Sequence, residues 1–172
     1  MGVYRETRNI LKSCMERIRE ILSDNLYTNA AVLQSFKQVY DLPFDPKLKQ
    51  AAICVKVSTT NIQNWEIGSF LTMRKPLIII SIFASNGGQG EDIVDLLVAN
   101  LKRGFDYYEY VILGGTTTDS SYESGASADG KINVETISII DVDLADDKST
   151  LDIRDRHRFQ INLSCSKSKL ES

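Results

Sequence analysis

The stretch FLTMRKPLIIISIFAS, Phe70–Ser85, constrains this chain more than any other. It is continuously apolar from Leu77 to Ile80 and too short to span a bilayer. A run of that kind reads as a central β-strand covered on both faces, with Pro76 at its front edge, where a missing backbone donor costs least. The rest of the chain has to supply its neighbours. Ala51–Thr60 is β-like through Cys54, Val55 and Val57, and Asn61–Ser69 is a connection holding the sole tryptophan, Trp65. Tyr107–Leu113, Ile132–Asp143 and Arg154–Cys165 read as three further strands.

The last strand alternates, with His157, Phe159, Ile161 and Leu163 on one face and Arg158, Gln160, Asn162 and Ser164 on the other. Ile132–Asp143 changes parity midway, and a bulge near Glu135/Thr136 reconciles its halves. Matching apolar residues across this hairpin sets Ile137 opposite Ile161, Ile139 opposite Phe159 and Asp141 opposite His157, predicting a cross-strand ion pair.

Two main helices are expected. In Val3–Leu22, Ile10, Cys14, Ile18 and Ile21 recur at helical spacing. In Glu91–Arg103 the acids Glu91 and Asp92 lead, Lys102 and Arg103 close, and Gly104 is the stop. A short third helix is expected over Asn29–Tyr40, ended by LPFDP. Gly114–Gly130 is small, polar and aperiodic, a long flexible loop, and 166–172 reads as a frayed tail. With one possible βαβ crossover, a doubly wound sheet does not fit. The expected fold is a single α+β domain, 1–172, with a mostly antiparallel or mixed sheet of about five strands packed by two helices.

Chemistry is scarce in the sequence. SNGGQGEDIVDLLVANL, Ser85–Leu101, resembles a phosphate loop only in outline: it lacks the P-loop lysine, and Glu91 and Asp92 stand where a phosphate would sit. Its glycines are instead read as a chain reversal needing positive φ. Asp141, Asp143, Asp146 and Asp147 lack EF-hand spacing, so a solvated hairpin end is preferred to a metal site. His157 has no accompanying nucleophile motif, and one histidine with three scattered cysteines (Cys14, Cys54, Cys165) does not make a zinc site. No cofactor is expected, and no catalysis.

The net charge of −3 does not suggest a general nucleic-acid binder. Charge is uneven, however: 101–150 carries ten acids against four bases, and 151–172 five bases against three acids. Arg154, Arg156 and Arg158 form a basic row: a solvated face, a pairing with the acidic Asp141–Asp147 region of the same hairpin, or a contact with that region of a neighbouring copy. With Asp141, Asp143 and Tyr122 they are the candidate interface residues. Odd, sparse cysteines and a charged N-terminus, MGVYRETRN, read as a soluble cytosolic chain without a membrane segment.

The order of these parts resembles the small phage tail-terminator, or tail-completion, proteins. The likeness rests on the N-terminal amphipathic helix, AAICVKVSTTNIQNW, PLIIISIFASNGGQGEDIVDLLVANL and the late strand RDRHRFQINLSC, over 1–22 and 51–165. Asn25–Lys49 and Gly114–Gly130 are longer than in the compact members. The resemblance implies a non-enzymatic virion protein, assembled in the host cytoplasm, that caps the tail tube as a hexameric ring and joins it to the head-neck connector or completion protein. Its partners would be further copies of itself, the tail tube protein and the neck, with DNA passing through the lumen without sequence-specific binding. Two other readings remain: a different neck adaptor forming twelve-membered rings, and a small nucleotide-dependent enzyme built on the glycine stretch.

Overall fold

The computed structural model describes residues 2–3, 6–25, 31–33, 51–84, 86–112, 120–121, 127–142 and 157–171. In chain order the elements are β1 (Gly2–Val3), α1 (Glu6–Asp24), β2 (Ala31–Leu33), β3 (Ala52–Asn64), β4 (Thr72–Phe83) and α2 (Gly87–Leu101). They continue with β5 (Phe105–Tyr107), β6 (Val111–Ile112), β7 (Ser120–Ser121), β8 (Gly130–Asp141) and β9 (Arg158–Lys167). The main sheet runs β2-β3-β4-β9-β8-β5, antiparallel throughout except for the parallel β2–β3 edge. A small second sheet joins β1, β6 and β7. The fold is α+β.

The apolar run is central, as its composition requires. β4 lies between β3 and β9, and Ile78, Ile80 and Ile82 are fully buried. Across β4, Ile80 sits between Val55 and Ile161, and Ile82 between Ile53 and Phe159. One core takes in this face together with Ile10, Cys14, Ile18 and Ile21 of α1 and Ile93, Leu97 and Leu101 of α2. The opposite face is more mixed. There Cys54 and Phe83 form a small buried cluster, whereas Ile79 is half-buried between Lys56 and Asn162.

The alternation in β9 is confirmed, with Phe159, Ile161, Leu163 and Cys165 facing the core. The parity change in β8 falls where it was expected, as a bulge between Val134 and Thr136. The hairpin register is not the expected one. Ile137 pairs with Leu163, Ile139 with Ile161 and Asp141 with Phe159, a slip of two residues that preserves every apolar match. An even slip keeps the same side chains inward, so hydrophobic matching alone cannot choose between the two registers.

Four further expectations are corrected. Ala31–Leu33 is a strand paired in parallel with Ala52–Cys54, although helix was expected; the rest of Asn29–Tyr40 lies outside the described residues. Tyr107–Leu113 splits between two sheets, with Phe105–Tyr107 on β8 and Val111–Ile112 between β1 and β7. Within the expected 114–130 loop, Ser120–Ser121 is a strand and Gly130 already belongs to β8. The tail is not frayed, since β9 runs to Lys167 and Glu171 bridges to Thr72.

The glycine stretch is also reinterpreted. α2 begins at Gly87, capped by Asn86, whose side-chain oxygen accepts from the Gln89 amide at 2.8 Å. Gly87, Gly88 and Gly90 are therefore helical. Among the described glycines positive φ occurs at Gly68 and Gly104, and Gly104 ends α2 as expected. Glu91 and Asp92 fall beyond the first turn, so their charge does not guard the helix start. Gly90 is glycine for packing: a Cβ there would lie 2.2 Å from the Phe159 ring. Gly90→Ala should cost about 1–3 kcal/mol by overpacking. Gly88→Ala, with only the Asn86 oxygen at 3.6 Å, should be neutral or stabilising by about 0.5 kcal/mol. Urea unfolding of the two variants checks this, and equal midpoints would refute the packing account.

Candidate functional site: an exposed arm and an open strand edge

β3 and β4 are longer than their neighbours allow. β9 pairs with β4 only over Leu77–Phe83, so 72–76 and their β3 partners 60–64 extend past the sheet as a two-stranded arm. Its tip is a formed turn. The Trp65 amide donates to the Leu71 carbonyl at 2.8 Å, the Ser69 amide to Glu66 O at 3.0 Å, and the Leu71 amide to Ser69 Oγ at 3.0 Å. Gly68 supplies the left-handed residue, at φ +83°. This ordered turn displays apolar side chains to solvent. Ile67 is 107% exposed and Phe70 95%, and Ile62, Trp65 and Leu71 are each about half exposed. Five large apolar side chains exposed at one end of a hairpin suit an interaction surface.

The β4 strand of the arm is held by charge as far as the turn. Arg74 makes a bidentate pair with Glu171, Nε to Oε1 and Nη2 to Oε2, both at 2.8 Å. The backbones of Thr72 and Glu171 exchange hydrogen bonds at 2.8 and 2.9 Å. Lys167 Nζ, 1% exposed, reaches Glu171 Oε1 at 3.2 Å and the Glu6 carboxylate, and lies 4.6 Å from the centre of the Tyr107 ring. The Tyr107 hydroxyl donates to Glu6 Oε2 at 2.6 Å and accepts from Asn9 Nδ2 at 3.4 Å. Burial first, and then the Glu6 contact, push the Tyr107 hydroxyl up, so it stays a neutral donor. The hydrogen bonds from Arg74 lead the causes that hold Glu171 below the usual carboxylate value, with Lys167 adding to them.

A second unsatisfied surface lies across the sheet. β5 covers β8 only at Gly130–Ile132, so among the described residues 133–141 have no strand on the side away from β9. Ile139 and Ile140, at the far end of that edge, are about half exposed.

The interface residues expected from sequence are only partly visible. Arg154, Arg156, Asp143 and Tyr122 lie outside the described residues. Arg158 is half-buried, with its guanidinium 5.3 Å from the centre of the Phe83 ring, so it is not simply part of a solvated row. Asp141 is exposed at the end of β8 but faces Phe159, which removes the register on which its ion pair with His157 depended. His157 accepts the Ala84 amide through its carbonyl, and Nδ1 lies 3.7 Å from where a Gly87 Cβ would be. It belongs to the β4–α2 junction. Trp65, in the connection between two strands, is displayed at the arm tip.

Among the described residues no cluster of histidine, cysteine or acid side chains could hold a metal, and no helix is long and apolar enough to cross a membrane. All three thiols are buried, and burial leads in pushing each up, Cys54 to about 11 and Cys165 to about 12, with Cys14 raised further. They are packing groups. A thiol reagent should label none of them in the native chain and all three after unfolding, as read by mass spectrometry. The sequence matches no protein-family model and no curated protein.

The Arg74–Glu171 pair makes a testable contribution to stability. A carboxylate lowered on folding stabilises fully above its ordinary value of 4.5, and the effect is lost as pH falls through the lowered value. Glu171→Gln should therefore cost about 1–2 kcal/mol at neutral pH, the scale of hydrogen bonds to charged groups. The gap from the parent chain should narrow as pH falls below the ordinary carboxylate value. Denaturant titrations at neutral pH and through the acid range measure it, and a gap independent of pH would contradict the assignment.

Proposed function

We propose that this chain is a structural assembly protein of tail-terminator type, forming a hexameric ring that caps a phage tail tube and joins it to the neck. The observation that carries the reading is the arm, an ordered turn rooted by buried charge that presents Ile67 and Phe70 almost wholly to water. A turn held by its own hydrogen bonds is pre-organised, so little ordering entropy is spent when a partner covers it. Two helices on one face of a stiff antiparallel sheet give the body a ring subunit needs, and an unpaired strand edge gives it a second contact.

In this reading the work is geometric. The subunit positions apolar surface, the ring stops tube growth by occupying the last tube face, and DNA passes through the lumen without base recognition. Native mass spectrometry with negative-stain electron microscopy of the purified chain tests it. A six-membered ring with a central lumen is expected. A twelve-membered ring would favour a neck adaptor instead, and a monomer at high concentration that also leaves tube polymerisation unchecked would overturn the proposal.

A further inference from the structure

We infer that the arm of one copy docks on the open β8 edge of a second copy, a head-to-tail contact between two different surfaces of the same chain. The inference rests on the assembly reading and names the partner of its central surface. The strand registers place the two surfaces at opposite corners. In strand order, β3 and β4 lie on one side of β9 and β8 on the other. Along the strands, the arm leaves the sheet beyond the Leu77–Ser164 pair, towards the Lys167 end of β9. Ile139 and Ile140 lie towards the Phe159 end, where Asp141 pairs with Phe159. The arm therefore points away from its own β8 apolar end, and only another copy can bring the two together.

The surfaces match in kind. The arm offers Ile62, Trp65, Ile67, Phe70 and Leu71, and the edge offers Ile139 and Ile140. Each also has backbone to pair. Among the described residues, β3 lacks an outer neighbour beyond Cys54, and β8 lacks one from Asn133 onward. An exposed edge of this length that carries isoleucines invites strand addition. A specific interface covers roughly 800 Å² per partner, which strand pairing along a flank would supply together with the apolar tip. Because the two patches differ, each copy uses both, and repetition closes a ring when the rotation allows.

The experiment uses two variants of the full chain, each checked by circular dichroism and thermal unfolding. An arm variant carries Trp65→Glu and Ile67→Glu, and an edge variant carries Ile139→Glu and Ile140→Glu. All four positions are at least 44% exposed, so both variants should fold. Sedimentation velocity should show the parent as a closed oligomer and each variant alone as a monomer. An equimolar mixture should give a dimer that grows no further, since one intact arm then meets one intact edge. Normal assembly of either variant alone overturns the inference, as does a mixture that stays monomeric. Failure of the terminator reading looks different: parent rings of twelve that depend on both surfaces would sustain this contact and sink the six-membered cap, whereas rings of six that survive the arm substitutions would do the reverse. A parent chain that stays monomeric overturns the self-docking contact outright.

Discussion

A lysine buried to 1% exposure sets the constraint on which much of this structure turns. An ammonium group removed from water is tolerated only where carboxylates and hydrogen bonds replace its hydration. Lys167 ends the strand whose other inward residues are Phe159, Ile161, Leu163 and Cys165, so its charge lies at the margin of an aliphatic core. Its partners come from separate parts of the chain. Glu6 is at the start of α1, Tyr107 ends β5, and Glu171 follows β9. Glu171 then reaches Arg74 on β4. One desolvated charge thereby ties α1, the β5 edge, the C-terminal segment and, through Glu171, the central β4 to a single point.

That point lies against the β4 strand of the arm, up to the base of its turn. A two-stranded ribbon projecting from a sheet has little stability of its own. Here Arg74 and Thr72 are clamped to Glu171 beyond Leu77, where β9 has stopped supporting β4, and the tip closes on its own hydrogen bonds. The result is an ordered turn that presents apolar side chains to solvent, which suits the repeated contact proposed above. The diagonal placement of the open β8 edge completes the logic. In the proposed assembly, stability and docking share the same strands, the inward faces making the core and the ends offering the contacts.

Much of this was legible in the sequence because it is local or periodic. The spacing of Ile10, Cys14, Ile18 and Ile21 specified α1, the run at Leu77–Ile80 specified the central strand, and the parity break specified the bulge at Glu135. What escaped depends on distant partners. Ala31–Leu33 is a strand because Ala52–Cys54 lies beside it. The glycines of α2 are helical because Asn86 caps them and Phe159 leaves no room at Gly90. The two-residue register slip is invisible to hydrophobic matching. Lys167 and Glu171 resembled a polar tail because nothing near them in sequence announces Arg74, Glu6 or Tyr107. For the arm, the apolar residues of Trp65–Leu71 were a signal, but a polar connection holding a tryptophan does not say whether the ring points inward or out.

The central claim is that the arm tip is an assembly surface, and the chain carries its own reporter there. Trp65 is the sole tryptophan and is half exposed in the isolated chain. Its fluorescence, recorded across a concentration series alongside light scattering, follows the arm directly. If the tip is covered on assembly, the emission maximum shifts to the blue and resists quenching by iodide in step with the rise in mass. Oligomers that form while Trp65 keeps a solvent-exposed, fully quenchable emission would contradict the account.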